Sequence, residues 1–332
     1  MTLPSRNSPL PEPMIVPRRR DPGPQLRALP GVQPRRGGME NFPPPALRSA
    51  PLPQPPVAPA PMQRARVITV TSGKGGVGKS SLVANLAVAM TRLGKSVLAF
   101  DADLGMANLD VLFGVRPQYT LYHVLKGKRD LPGILVGGPP GVKFIAGGSG
   151  MAELADLDPA TMETLLASLR RLETYSDVLL IDTGAGLSRN VLSFVRAADE
   201  VLLVTTPEPT AMADAYGVLK TLALEGPQVP RTSLVVNKVR DPEEGLLVAR
   251  RFIKVAREHL QLKVDYAGFV LEDENVSLSV RRQKPVVMLY PNSYASVCIN
   301  NIVAGLFDSP PPEIPANRPG FIERLAGLFR RA

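Results

Sequence analysis

The stretch Gly73-Lys-Gly-Gly-Val-Gly-Lys79-Ser80 constrains this chain more than any other feature of its sequence. It fits the pattern G-x-x-x-x-G-K-[ST]. Before it stands the apolar β-branched run Val67-Ile-Thr-Val-Thr71, and after it Leu82, Val83, Leu86, Met90 and Leu93 recur at spacings of three and four. Strand, glycine loop and helix in that order are the context this motif requires. Glycines let successive backbone amides close round phosphate oxygens, the helix N-terminus contributes its positive end, and a lysine adds a point charge. The residues expected to touch nucleotide here are Gly73, Lys74, Gly75, Gly76, Val77, Gly78, Lys79, Ser80 and Ser81, with the Ser80 hydroxyl offered to Mg²⁺.

Beyond the loop, short apolar runs alternate with amphipathic stretches: Val97-Leu-Ala-Phe100, Val178-Leu-Leu-Ile181, Val201-Leu-Leu-Val204 and Leu234-Val-Val236. Apolar strands separated by helices predict a mostly parallel sheet covered on both faces, a doubly wound α/β domain over residues 66–308. The flanks differ. Of 35 prolines, 18 fall within the first 62 residues, where fixed φ and missing donors oppose helix and sheet, so residues 1–65 are expected to be a disordered arm. Prolines 310–312, 315 and 319 make residues 309–319 a linker, after which residues 320–332 resume a helical pattern as a separate module.

The net charge of +9 belongs to these flanks, since residues 1–66 carry +7, residues 309–332 carry +2, and residues 67–308 balance 25 basic against 25 acidic side chains. The folded part thus has no global excess for a phosphate backbone, and nucleic acid is not an expected partner. No apolar run reaches the length of about 18 residues that a bilayer span needs, and the first twenty residues lack the apolar core of a secretory signal, so a cytoplasmic protein is expected. The single cysteine, Cys298, rules out an intrachain disulfide framework and a zinc or iron–sulfur cluster held by one subunit's thiolates. It is expected to be buried as a small apolar side chain.

Three acids and one amide stand at strand ends, where ligands of open α/β sheets bind. Asp101 and Asp103 lie on one side of an extended segment, so that one can hold metal-bound water while the other orients an attacking water. Asp182 ends the run Leu179-Leu-Ile and precedes Thr-Gly-Ala-Gly186; an acid there invites a cation, and Mg²⁺ held through water is its expected partner. Asn237-Lys-Val-Arg240 has the position of a base-recognition loop. Arg240 stands where a guanine-specific loop needs a carboxylate and cannot accept a hydrogen bond, which favours adenine, with Asn237 as its contact.

The extra lysine, Lys74, resembles the deviant phosphate loop of the MinD/ParA ATPases. That resemblance, over about residues 66–308, implies a MgATP-dependent homodimer in which Lys74 reaches the partner's phosphates. It also implies slow hydrolysis with Lys74, Lys79 and Asp103 as catalytic residues, Asp103 positioning water, and Ser80, Asp101 and Asp182 on the metal side. Asp103-Leu-Gly-Met-Ala-Asn-Leu-Asp110, Thr205-Thr-Pro-Glu-Pro-Thr210 with Asp214-Ala-Tyr216, and Glu272-Asp-Glu-Asn-Val276 are similar to the flagellar-number regulators of the FlhG (FleN, YlxH) type. This branch implies control of flagellar number or placement, with flagellar C-ring and basal-body proteins and the signal-recognition-type GTPase FlhF as partners, and Glu208 near the dimer interface, in reach of nucleotide. The GTPase-activating motif of that branch has a counterpart in Asp21-Pro-Gly-Pro-Gln-Leu26-Arg27, but two prolines and a glycine disfavour a helix there. MinD-like division-site regulation and ParA-like DNA partition are the alternatives.

In the last segment, Phe321, Ile322, Leu325, Leu328 and Phe329 share one helical face and Arg324, Arg330 and Arg331 lie off it. Thirteen residues make about 20 Å of helix, too short to span a bilayer. Lying in the interface suits such a helix, and the expectation is a peripheral protein on the inner face of the cell membrane, with docking on the protein's own core as the alternative.

Overall fold

The computed structural model describes residues 64–103, 107–147, 171–226, 229–308 and 319–330. The arm up to residue 63, with its Asp21–Arg27 segment, and the linker from 309 to 318 lie outside the described residues.

Eight strands form one sheet in the order β3-β4-β2-β5-β1-β6-β7-β8. They are β1 (Arg66–Ser72), β2 (Val97–Ala102), β3 (Val136–Gly137), β4 (Val142–Ala146), β5 (Val178–Ala185), β6 (Glu200–Thr205), β7 (Arg231–Val239) and β8 (Val264–Leu271). Every pairing is parallel except β3 with β4, which puts the one antiparallel pair at an edge. A parallel sheet is buried on both faces, and its strands read accordingly: β2 and β6 are buried at all six positions.

Alternate residues of each strand face opposite helical layers. Ile68, Val70, Leu180, Leu202 and Val235 meet α1 (Lys79–Arg92), α2 (Leu109–Phe113), α8 (Val286–Leu289) and α9 (Tyr294–Asp308). On the other face lie α3 (Leu121–Leu125), α4 (Arg189–Ala197), α5 (Pro209–Leu224), α6 (Pro242–Leu260) and α10 (Phe321–Arg330), packed on Val67, Leu179, Ile181, Leu203 and Val236. One further helix, α7 (Glu274–Arg281), follows β8. Caps fix where several helices begin: Asp241 accepts from Glu244 N at 2.8 Å to open α6, and Asp273 accepts from Asn275 N at 2.9 Å to open α7.

Two expectations need correction. Spacing alone puts Leu93 on the inner face of α1, yet the helix ends at Arg92 and Leu93, its C-cap, is 50% exposed. Its amide closes the last turn onto Met90 O, which swings the side chain off the buried stripe. The other concerns the last helix, expected as a module separate from the core. In the structure α10 lies on the core. Phe321, Ile322 and Leu325 are buried there, Leu328 is partly buried, and the Phe321 ring lies 6.3 Å from that of Phe194 in α4. Polar contacts reinforce the seat: Arg324 Nη2 donates to Asp199 Oδ1 at 2.7 Å and Nε to Ala197 O at 2.8 Å, while Ile322 N donates to Glu173 Oε1 at 3.1 Å. An apolar stripe on a ten-residue helix needs some apolar partner in water, and the groove beside α4 supplies one for Phe321, Ile322, Leu325 and Leu328. Phe329 belongs to the same helix, but its side chain is outside the described residues.

Candidate nucleotide site

The loop between β1 and α1 is wedged between two neighbours. A Cβ built on Gly73 would stand 2.1 Å from the carbonyl carbon of Asp214 in α5, so only glycine fits that approach. Gly78 has φ of 90° and a Cβ there would meet Asn237 Nδ2 at 2.3 Å, which makes glycine necessary on two counts. From the β7 side, Asn237 Nδ2 donates to Val77 O at 2.7 Å and Lys238 Nζ to Gly76 O at 2.8 Å. Lys238 adopts φ of 58°, a left-handed conformation for a non-glycine residue that turns its side chain back over the loop.

Lys79 is buried, and its amine donates to Asp182 Oδ1 at 2.5 Å and to Ser80 Oγ at 3.4 Å. Asp182 is 1% exposed and its second oxygen, Oδ2, has no hydrogen-bond partner. Burial pushes the Asp182 carboxyl up, against the pull of Lys79 and of the Ser80 hydroxyl, and the charge of Asp103 adds to the rise. An orphaned carboxylate oxygen at 1% exposure, beside a serine hydroxyl, is a donor set that suits Mg²⁺, which keeps several waters and takes one or two protein oxygens. Among the described residues there is no group of three or more His, Cys, Asp or Glu side chains that could cage an ion alone.

Asp101 and Asp182 are register partners on β2 and β5. Both Asp101 oxygens are already used: Oδ1 accepts from Asp103 N at 3.1 Å, and Oδ2 from Asn108 N at 3.0 Å and Leu109 N at 3.1 Å. In this conformation it ties the end of β2 to the start of α2, while standing beside Asp182 in register. Alternation along the strand orients the Cβ but does not say which donors the loop beyond will turn inward. Burial, and after it the charge of Asp182, pushes the Asp101 carboxyl up to about 7, while the three loop amides pull the other way. Asp103 projects over the end of β5, close enough that a Cβ on Gly184 would lie 3.4 Å from its Oδ1. Lys74 points away from this group: its amine donates to Glu208 Oε2 and Thr210 Oγ1, each at 2.9 Å. Glu208, itself exposed, holds this lysine, and that amine pulls its carboxyl down.

Two cavities meet at Gly78 and Ser81. One, of about 600 Å³, is lined by the loop residues from Lys74 to Ser81 together with Asp103 and Gly184. The other, of about 650 Å³, lies between Asn237, Arg240, Leu271, Asp273, Val276 and Val286. Sequence reasoning reaches Asn237 but not the wall formed by β8 and α7, although the Glu272–Val276 block stands out by its likeness to relatives. The side chains Ser188 and Asn190 at the phosphate end also escape it, for they follow Gly186 without any pattern of their own. Lys238 lies inside the Asn237–Arg240 motif, but the sequence assigns it no role; its left-handed backbone and its bond to Gly76 O do.

A glycine loop closing on a helix start, a buried lysine facing an acid with a spare oxygen, and a second cavity beside the first define a P-loop nucleotide-binding protein. Residues 68–286 match the CobQ/CobB/MinD/ParA nucleotide binding domain, and the chain belongs to that family. It is 40% identical over 268 residues to the antiactivator FleN of Pseudomonas aeruginosa, covering 80% of this chain and 94% of that one. The flagellum site-determining protein YlxH of Helicobacter pylori is 36% identical over 245 residues, covering 74% and 82% respectively. Among solved structures, the septum site-determining protein MinD complexed with Mg-ADP from Pyrococcus horikoshii superposes with a TM-score of 0.57 at 26% identity, covering 72% of this chain and 94% of that one. No helix among the described residues is long and apolar enough to cross a membrane.

Proposed function

We propose that this chain is an ATP-operated switch in the control of flagellar number or placement, and that it hydrolyses ATP slowly as a homodimer. The observation that supports the chemistry most directly is the pairing of Lys79 with Asp182, whose other oxygen is buried and unpartnered. The likeness to FleN and YlxH supports the biological setting.

ATP would lie with its phosphates in the glycine-loop cavity and its base in the cavity lined by Asn237 and Arg240. Arg240 is engaged by Glu244 at 2.8 Å and offers guanine no acceptor, which favours adenine. Lys79 exchanges Asp182 for the β/γ oxygens and neutralises charge that grows in the transition state. Ser80 and Asp182 would hold Mg²⁺, which when bound lowers the repulsion between phosphate oxygens and an incoming nucleophile. Asp103, placed over Gly184, orients a water for in-line attack on the γ-phosphate. Asp101 supports it from behind by fixing the loop that carries it.

Dimerisation enters through Lys74. Its amine is held by Glu208 and Thr210, outside the cradle, on an ion pair exposed enough to contribute little. Exchanging that contact for the phosphates of a second copy is electrostatically downhill. Membrane association on the inner face would require α10 to leave its groove and present Phe321, Ile322, Leu325, Leu328 and Phe329 to lipid, and two such helices bind better than one. FlhF and flagellar C-ring proteins are the partners proposed for the two states. Light scattering on the full chain checks the switch: with a non-hydrolysable ATP analogue the mass should double, and with Lys74→Ala it should stay monomeric. A wild-type chain that stays monomeric with saturating analogue contradicts the reading.

A further inference from the structure

The solvent face of α6 combines features that its role in the core does not require. The helix is nineteen residues long and buries Val248, Ala249, Phe252 and Ala256 against the sheet. On the opposite arc Leu246 is 39% exposed, Leu247 49% and Val255 40%. Arg250, Arg251, Lys254 and Arg257 are exposed between and beside them, and no acidic residue occurs from 245 to 257. The three- and four-residue spacing puts these seven side chains on one side of the helix, with Glu243 in its first turn and Glu258 in its last as the acids on that side. Lys254 reaches only Glu258, at 3.9 Å, and Arg250, Arg251 and Arg257 have no carboxylate partner among the described residues.

A solvated helix face ordinarily mixes both signs and keeps leucine inside. Four cations, three of them without a carboxylate partner among the described residues, interleaved with three aliphatic side chains match a surface that is anionic on the outside and apolar just beneath. A nucleic-acid backbone would use the cations and leave the aliphatic groups without a partner. We infer that α6 is a contact surface for an anionic lipid bilayer, with Arg250, Arg251, Lys254 and Arg257 among the headgroups and Leu246, Leu247 and Val255 entering the interface. This contact does not depend on α10. It lies on the same face of the sheet as α10 but is already exposed while that helix is docked, so it requires neither nucleotide nor a second copy. It provides a first, salt-sensitive contact between bilayer and core, one that precedes any release of the C-terminal helix.

The sequence contains no tryptophan, so Leu247→Trp in the full-length chain is a single local reporter. In nucleotide-free buffer of low salt, vesicles of phosphatidylcholine with one quarter phosphatidylglycerol should shift its emission to the blue, and pure phosphatidylcholine vesicles should not. Adding Arg250→Gln, Arg251→Gln and Lys254→Gln together should weaken the association about tenfold or more, with ATPase activity unchanged because none of the three touches the nucleotide cavities. The basic N-terminal arm can bind such vesicles by itself, but it leaves the introduced indole in water. Binding without a blue shift, or a triple variant that binds as the parent does, overturns the proposal. An equal shift with duplex DNA also overturns it and identifies a nucleic-acid surface. Failure of ATP-dependent recruitment through α10 would leave the indole signal from α6 in place.

Discussion

Asp182→Ala should destabilise the nucleotide-free protein by about 3–5 kcal/mol in urea unfolding, the range for removing one partner of a buried ion pair. Lys79 would be left buried, with only the Ser80 hydroxyl at 3.4 Å in reach of its amine. Asp182→Asn keeps an oxygen that accepts from that amine and should cost distinctly less. Both variants lose the oxygen proposed for Mg²⁺, so both should lose magnesium-dependent turnover. Stability and chemistry thus separate between the two replacements: alanine harms both, asparagine chiefly the second. A loss below about 1 kcal/mol for alanine would mean that the pair is solvated.

The second large effect is steric. Gly73→Ala should unseat the phosphate loop, because its methyl group would stand 2.1 Å from backbone of α5, which cannot rotate away as a side chain could. Overpacking of this kind costs about 1–3 kcal/mol, and a displaced loop should weaken ATP binding about a hundredfold, equivalent to roughly 2.7 kcal/mol. Gly75→Ala is the control two residues on. Nothing lies within 4 Å of a Cβ there, and its φ is not in the left-handed region, so the melting temperature should be unchanged. If both variants melt like the parent, the packing of the loop on α5 is wrong.

These contrasts bear on what the sequence can and cannot reveal. The five apolar runs that read as strands are β1, β2, β5, β6 and β7, because a strand covered on both faces is continuously apolar and needs no partner to be recognised. The strands β3, β4 and β8 do not stand out in this way. β4 follows Gly137-Gly-Pro-Pro-Gly141, which reads as loop, and β8 is interrupted by Asp265 and by Gly268, whose φ of 140° only glycine tolerates. The loop residues Gly73 to Ser81 are legible because a phosphate cradle is local in sequence. The backbone partners of Asp101 are hidden for the opposite reason. Its amide donors at Asn108 and Leu109 lie seven and eight residues away, across a loop whose course no periodicity encodes. The lipid-facing stripe expected of α10 is an amphipathic pattern, and such a pattern says that one face must be covered, not by what. The burial of Cys298 follows from the same general ground, that free cysteine behaves as a small apolar residue, and it is 8% exposed.

The central claim is that one nucleotide spans both cavities, phosphates on the glycine loop and adenine against Asn237 and Arg240. Calorimetric titration of the purified full-length chain with ATP, and separately with GTP, in the presence of Mg²⁺ tests it most directly. A single saturable site per chain with ATP bound more tightly than GTP is the expected result. No saturable heat with ATP, or GTP bound as tightly, would contradict it.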